Sequence, residues 1–321
     1  MPEVLTAAPE LEPLRRAAGD VALRSLLGRA LLLASDATPA SQGAARACAD
    51  LATRCGACVE VVTVHDTIVG LARPSVVNAL HIADAILGED VQELQRHALR
   101  YRLADTLGYV PDWPVRVVVG TPAECILEAA ERAEAGLVVM GLRHHAAVSR
   151  PFRDETTLHV MRRAGQPVLA MVEGAHAAPR HFVVGVGFGA ASIAAARSAL
   201  TLLGGTGTLT LAYVGHELDF IGEDDTGHRL IHLLGIEGSF ERAIALLAPP
   251  DGVHVETLTL RGDPATELTR LAERIGADAI AVGSLRHRRV DQWVLGSVTA
   301  DLAREGRHSL LVVPPRQWAP R

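Results

Sequence analysis

A chain of 321 residues has room for two domains of about 150 residues, each large enough to bury its own core. Its formal net charge of −6 and pI near 6.2 exclude a global basic footprint for nucleic acid. No apolar run approaches the roughly 20 residues of a membrane span, and Met1-Pro2-Glu3 lacks the basic start of a secretory signal, so a cytoplasmic protein is expected.

Residues 1–28 read as a helical extension. Leu11, Leu14, Val21, Leu23, Leu26 and Leu27 form an imperfect apolar stripe, with Arg15, Arg16 and Arg24 between them. It suits packing on the first domain or docking of a partner. A first strand, Ala30–Ser35, then leads through a Thr38-Pro39 turn to a helix over Gln42–Ala52 and a second strand, Val59–Val64. A long polar-to-helical stretch ends in a helix over Glu89–Leu107. Strand three (Val115–Val119), helix Ala123–Ala133 and strand four (Leu137–Met140) follow. A basic loop, a helix over Thr156–Ala164 and strand five (Pro167–Val172) complete the unit.

The same order then recurs. Strands are expected at Phe182–Val186, Thr208–Val214, His254–Leu260, Ala279–Val282 and Ser309–Val313, and helices at Ser192–Leu203, Ile231–Leu247, Pro264–Ile275 and Val298–Glu305. Ser41 answers to Ser192 (192 − 41 = 151), Gly120-Thr121-Pro122 to Gly262-Asp263-Pro264 (262 − 120 = 142), and Val138-Val139-Met140-Gly141 to Ile280-Ala281-Val282-Gly283 at the same 142. Two constant offsets joined by one length change mark a duplicated domain, placed at 29–175 and 179–315 with a short tail at 316–321. The strands are continuous apolar runs, as in parallel strands buried on both faces. Alternating with helices, they predict two α/β units, each a doubly wound five-stranded parallel sheet with right-handed crossovers. Ligands of such sheets sit beyond the strands' carboxyl ends.

Several constellations carry less. Cys55-Gly56-Ala57-Cys58 is formally a C-x-x-C, but it lies at a helix's C-terminal end, whereas thiolates are favoured at the positive N-terminal end. No second pair follows at zinc-finger spacing, and packing of small residues at a corner is the plainer reading. His228 and His232 stand at i, i+4 with no further ligand dictated, so no metal is expected. Arg143-His144-His145 and Arg286-His287-Arg288-Arg289 are matching basic loops beside the two clefts, suited to an acidic partner or anion, although such runs are most often solvated surface. No nucleophile elbow or Walker loop occurs. Strand three ends in Val119-Gly120 in one copy and Leu260-Arg261-Gly262 in the other, without the Asp of a response regulator.

The loop after strand four of copy two reads Gly283-Ser284-Leu285-Arg286, then nine residues, then Gly296-Ser297 opening a helix. This loop, Asp36 at the end of strand one, the opening Leu32-Leu33-Ala34-Ser35-Asp36-Ala37-Thr38-Pro39 and the closing Leu310-Leu311-Val312-Val313-Pro314 resemble the universal stress protein family. The resemblance runs from about Arg29 to Pro315, as two domains in tandem. It implies a Rossmann-like fold of the adenine nucleotide alpha hydrolase-like kind, and last strands that meet at a mutual interface, making a pseudo-dimer within the chain. A further homodimer is compatible with it.

In ATP-binding members, glycines of this loop let backbone N–H groups approach the phosphates and the helix start adds donors, while an acid suits the ribose. The resemblance assigns Gly283, Arg286, Gly296 and Ser297 to phosphates in copy two, with adenine meeting the backbone of Val214. Asp36, Val64 and Gly141 form the corresponding remnant in copy one. Both copies depart from the pattern. Copy one has Asp154-Glu155 where Gly-Ser belongs, which repels an anion and instead suits capping of the helix. Copy two has Arg286 in place of the second glycine, and Gly187 in place of the acid. Arg is well shaped for phosphate, yet it also fills space a glycine leaves open. The expectation is a non-enzymatic tandem stress-response regulator with protein partners and degenerate or weak ATP binding. The alternative is a slow ATPase or phosphotransfer activity in copy two.

Overall fold

A computed structural model describes residues 30–36, 38–66, 92–142, 154–215, 226–284 and 296–314. The expected extension over 1–28 and the tail over 316–321 fall outside them. In chain order the first unit holds β1 (Ala30–Ala34), α1 (Pro39–Cys55), β2 (Cys58–Asp66), α2 (92–107), β3 (Val115–Gly120), α3 (Pro122–Arg132), β4 (Ala135–Leu142), α4 (Asp154–Arg163) and β5 (Val168–Val172). The second holds β6 (His181–Gly185), α5 (Ala190–Leu203), β7 (Gly207–Gly215), α6 (Thr226–Leu247), β8 (Val253–Arg261), α7 (Pro264–Ile275), β9 (Ala279–Gly283), α8 (Ser297–Glu305) and β10 (Ser309–Val313).

All ten strands form one sheet, in the order β3-β2-β1-β4-β5-β10-β9-β6-β7-β8. Every pairing is parallel except the central one, β5 with β10, which is antiparallel. The order is palindromic: each half reads third, second, first, fourth, fifth strand towards the centre. In the antiparallel pair Leu311 faces Leu169, and these are equivalent residues of the two copies (311 − 169 = 142). Leu310 faces Ala170 and Val312 faces Val168, so equivalent positions exchange partners about that point. A pseudo-twofold axis therefore passes between Leu169 and Leu311, and the last strands meet as the resemblance implied.

Period-2 alternation splits each strand between two cores. Leu31, Leu33, Val59, Val61, Leu169, Leu209, Leu211 and Leu311 join the inward residues of α1, α2, α5 and α6 on one face. Leu32, Val62, Val138, Val168, Ile280 and Leu310 join those of α3, α4, α7 and α8 on the other. Each core runs through both copies. Aliphatic side chains and alanine supply nearly all of it, with Phe182 the one aromatic among the largest fully buried side chains.

Element ends differ from the sequence expectation in ways with physical causes. α1 begins at Pro39 because Thr38 is its N-cap and Pro39 its first residue; the expected turn is the helix start itself. It ends where Gly56 turns to φ 66°. Cys55 belongs to the α1-side core and donates its thiol to the Leu51 carbonyl at 2.7 Å, while Cys58 is exposed. Val59 points to the α1 face, so the adjacent Cys58 points to the opposite one. The two thiols of the C-x-x-C are thus divided by the sheet.

The linker is tied down at both ends. Asp278 Oδ2 accepts the Arg180 and His181 amides, each at 2.8 Å, and Asp50 Oδ2 accepts the Ala178 amide at 3.3 Å. Arg54 crosses between copies, donating from Nη1 to the Leu202 carbonyl at 2.9 Å at the C-terminal end of α5. Its Nη2 lies 3.0 Å from Asp50 Oδ2 as an ionic contact without hydrogen-bond alignment. Burial pulls its pKa below the ordinary arginine value, opposed by the Asp50 charge.

Candidate functional site

Each half reverses its strand order between its first and fourth strands, β1 with β4 and β6 with β9. That reversal opens a crevice at the strands' carboxyl ends. Gly141 and Gly283 close the fourth strands there, and both are forced to be glycine. A Cβ on Gly141 would stand 2.5 Å from the Ala40 carbonyl oxygen, and one on Gly283 2.2 Å from that of Ala191. Ala40 and Ala191 are equivalent first-turn residues of α1 and α5 (191 − 40 = 151). The first glycine of the loop therefore serves close packing of helix on strand in both copies.

β1 pairs with β2 only as far as Ala34 with Val62, and the Ser35 amide donates to the Val62 carbonyl at 3.0 Å. Backbone groups two residues apart on a strand point the same way, so the N–H and C=O of Val64 are aimed past the tip of β1 into the crevice. The copy-two ladder ends alike, with the Val186 amide on the Ala212 carbonyl at 2.9 Å. Val214 accordingly aims its backbone past β6. The side chains of Val64 and Val214 are half-buried against the α3/α7-side core.

The loops after the first strands are built by different means. In copy one, Asp36 Oδ1 accepts both the Thr38 amide at 3.1 Å and the Thr38 hydroxyl at 2.5 Å. Ser35 donates to Ser41 at 3.0 Å, and Ser41 to the Thr38 carbonyl at 2.9 Å. Asp36 thus shapes its own loop, through an Asp-x-Thr signal whose partner the sequence reading missed. In copy two the loop is Gly187-Phe188-Gly189. Phe188 adopts φ 57°, strained for a bulky residue, and its ring stacks on Tyr213 with centroids 5.4 Å apart and meets Phe240 edge-on at 5.0 Å. An aromatic wedge replaces the polar turn. Ser192 keeps the equivalent of the Ser41 contact, donating to the Gly189 carbonyl at 3.0 Å. Gly187 has an unremarkable φ and nothing within 4 Å of a built Cβ, so neither conformation nor space requires the loss of the acid there.

Across the copy-two crevice, α8 starts at Gly296 with no side chain capping its first turn; Ser297 is exposed and Gly296 opens on free space. A helix start of this kind leaves N–H donors and a positive dipole end. Behind it, Ser284 is buried and its amide donates to the Val313 carbonyl at 2.9 Å. In copy one α4 begins at Asp154, and Thr157 reaches back to the Gly141 carbonyl at 3.5 Å. The side chains of Asp154 and Glu155, the loop residue Arg286, and the expected basic loops lie outside the described residues. So do the side chains of His228 and His232. Among the described residues no group of three or more His, Cys, Asp or Glu side chains is placed to hold a metal ion. No helix among them is long and apolar enough to cross a membrane.

Two solved structures share the whole tandem architecture. A universal stress protein from Archaeoglobus fulgidus matches with a TM-score of 0.59 at 17% identity, covering 89% of this chain and 98% of its own. A functionally unknown protein from Pseudomonas aeruginosa matches with a TM-score of 0.53 at 14% identity, covering 91% and 95%. At such identities these likenesses speak for the fold. No curated protein matches the chain at a significant level. The sequence profile of the universal stress protein family matches residues 29–171 and again 179–314, the two copies read from the repeat. The chain belongs to the universal stress protein family.

Proposed function

We propose a role in the stress response, which family membership supports. Within it, we propose that this protein is a non-enzymatic tandem regulator whose output is contact with other macromolecules, and that copy two keeps a weak adenine-nucleotide site. What supports the site is one arrangement: the Val214 backbone, the uncapped start of α8 at Gly296 and Ser297, and Gly283 border the same crevice. The phosphates would lie on the α8 start and Arg286, with the base on Val214. Affinity is weak because Gly187 offers no carboxylate to a ribose. Copy one, with Asp154-Glu155 at its helix start, is the scaffold of the pair.

Calorimetry with ATP tests this. Wild type is expected to bind weakly, Gly296→Asp to lose binding, and Gly187→Asp to tighten it. Equal heats for wild type and Gly296→Asp would show that this loop is not the site. The same donors favour a second reading, slow ATP hydrolysis in copy two; phosphate release above background that disappears in Gly296→Asp would replace the non-enzymatic reading with that one.

A further inference from the structure

Beside the Asp36 loop, on the sheet face that carries α1 and α2, copy one holds a polar cavity of about 50 Å³. One water fills roughly 10–15 Å³ of such space, so there is room for about three to five waters, or for a solute of about that many non-hydrogen atoms. Its floor is made by Ser35 and Ser41, which are 6% and 5% exposed and whose hydroxyls are joined at 3.0 Å. Ala45 of α1 and Leu99 and Leu103 of α2 form an apolar wall. Thr38, Gln42 and Thr106 add two hydroxyls and an amide. Arg102 and Asp105, both exposed, bring one charge of each sign to the mouth.

Arg102 and Asp105 stand at i, i+3 on α2, yet no ion pair joins them among the described residues. The i, i+3 pairs that do form, Glu93 with Arg96, Glu267 with Arg270 and Asp301 with Arg304, all place the acid first, the order the helix dipole favours. With the base first, guanidinium and carboxylate line the cavity without neutralising each other by direct contact. The duplication supplies a contrast. At the 151 offset Ser35 becomes Val186 and Gln42 becomes Ile193, and copy two closes its first loop onto the following helix through Phe188, Tyr213 and Phe240. An unfilled polar cavity forfeits the contacts that such an aromatic cluster makes. We infer that the cavity of copy one is a binding site for a small zwitterion, an α-amino acid of glycine's size. Its carboxylate lies on the Arg102 guanidinium, its ammonium on the Asp105 carboxylate and its carbon against Leu99 and Leu103. A plain anion would meet Asp105 and a plain cation Arg102, so like charge selects against both. The nucleotide site of copy two plays no part in this.

NMR titration of the full chain with glycine, acetate and methylammonium tests it. Amide signals from the first turn of α1 and from residues 99–106 are expected to shift saturably with glycine, with a Kd on the order of 1 mM. Acetate and methylammonium are each expected to bind about tenfold or more weakly. Arg102→Gln and Asp105→Asn change exposed positions, so the fold should be retained, checked by unchanged signals from β5 and β10. Each is expected to weaken glycine about tenfold or more. Acetate that matches glycine, with a loss in Arg102→Gln alone, overturns the inference in favour of a plain anion site. The absence of a saturable glycine response overturns it too, as does a response undiminished in both charge variants.

Discussion

Gly283 and Gly187 show how little a glycine says by itself. Gly283 is fixed by a carbonyl that a methyl group would overlap, whereas Gly187 has an ordinary backbone and open space. Gly283→Ala is expected to cost about 1–3 kcal/mol in urea unfolding, as the first turn of α5 is pushed off β9. Gly187→Asp should stay within about 0.5 kcal/mol of wild type. A result with the two reversed would mean that the crevice is packed otherwise. The sequence carried the glycines' positions through the repeat, since Gly141 and Gly283 share the 142 offset of their strands. It did not carry their purpose, because the atoms they avoid, on Ala40 and Ala191, lie about a hundred residues earlier in the chain. Asp36 is the converse case. Its partner Thr38 is two residues away, and that contact was legible in principle from the Asp-x-Thr spacing.

Elements were read well where local chemistry decides them. Continuous apolar runs located all ten strands, while the first helix, expected over Gln42–Ala52, runs on to Cys55 before Gly56 ends it. α7 shows the benefit of a good start signal. Asp263 accepts the Thr266 amide at 3.0 Å and its hydroxyl at 2.8 Å, while Thr121, its equivalent before α3, makes no side-chain cap. Asp263→Ala is expected to lower stability by about 1 kcal/mol, and Thr121→Ala by much less, in thermal unfolding of the two variants side by side. Equal losses would remove the capping explanation. Where the reading missed, the cause was non-local. Nothing near Arg54 in sequence announces that it reaches the end of α5, 148 positions on. Nothing near Phe188 announces Tyr213 and Phe240, which hold it in a conformation it would otherwise avoid.

At the scale of the whole molecule, the self-pairing of Leu169 with Leu311 makes each half a stand-in for the other's partner. Residues 29–175 expressed alone would expose β5, an apolar strand with its hydrogen-bonding edge open. Such a half is expected to form dimers in light scattering, with β5 against β5, and Leu169→Asp should return it to monomer or leave it unfolded. A soluble monomeric half with native circular dichroism would show that the shared edge is dispensable.

The antiparallel seam has a geometric consequence for how this molecule can be used. Because β5 and β10 run in opposite directions, the strands of the first unit end at one rim of the sheet and those of the second at the other. The two crevices therefore look away from each other, separated by about the length of a strand or more, on the order of 20 Å. A compact ligand can occupy one rim or the other and never bridge them. Whatever divergence has accumulated between Asp36 and Gly187, or between Asp154-Glu155 and Gly296-Ser297, was free to proceed at each end without disturbing the opposite one. Each rim can therefore be altered or occupied without direct contact with the other.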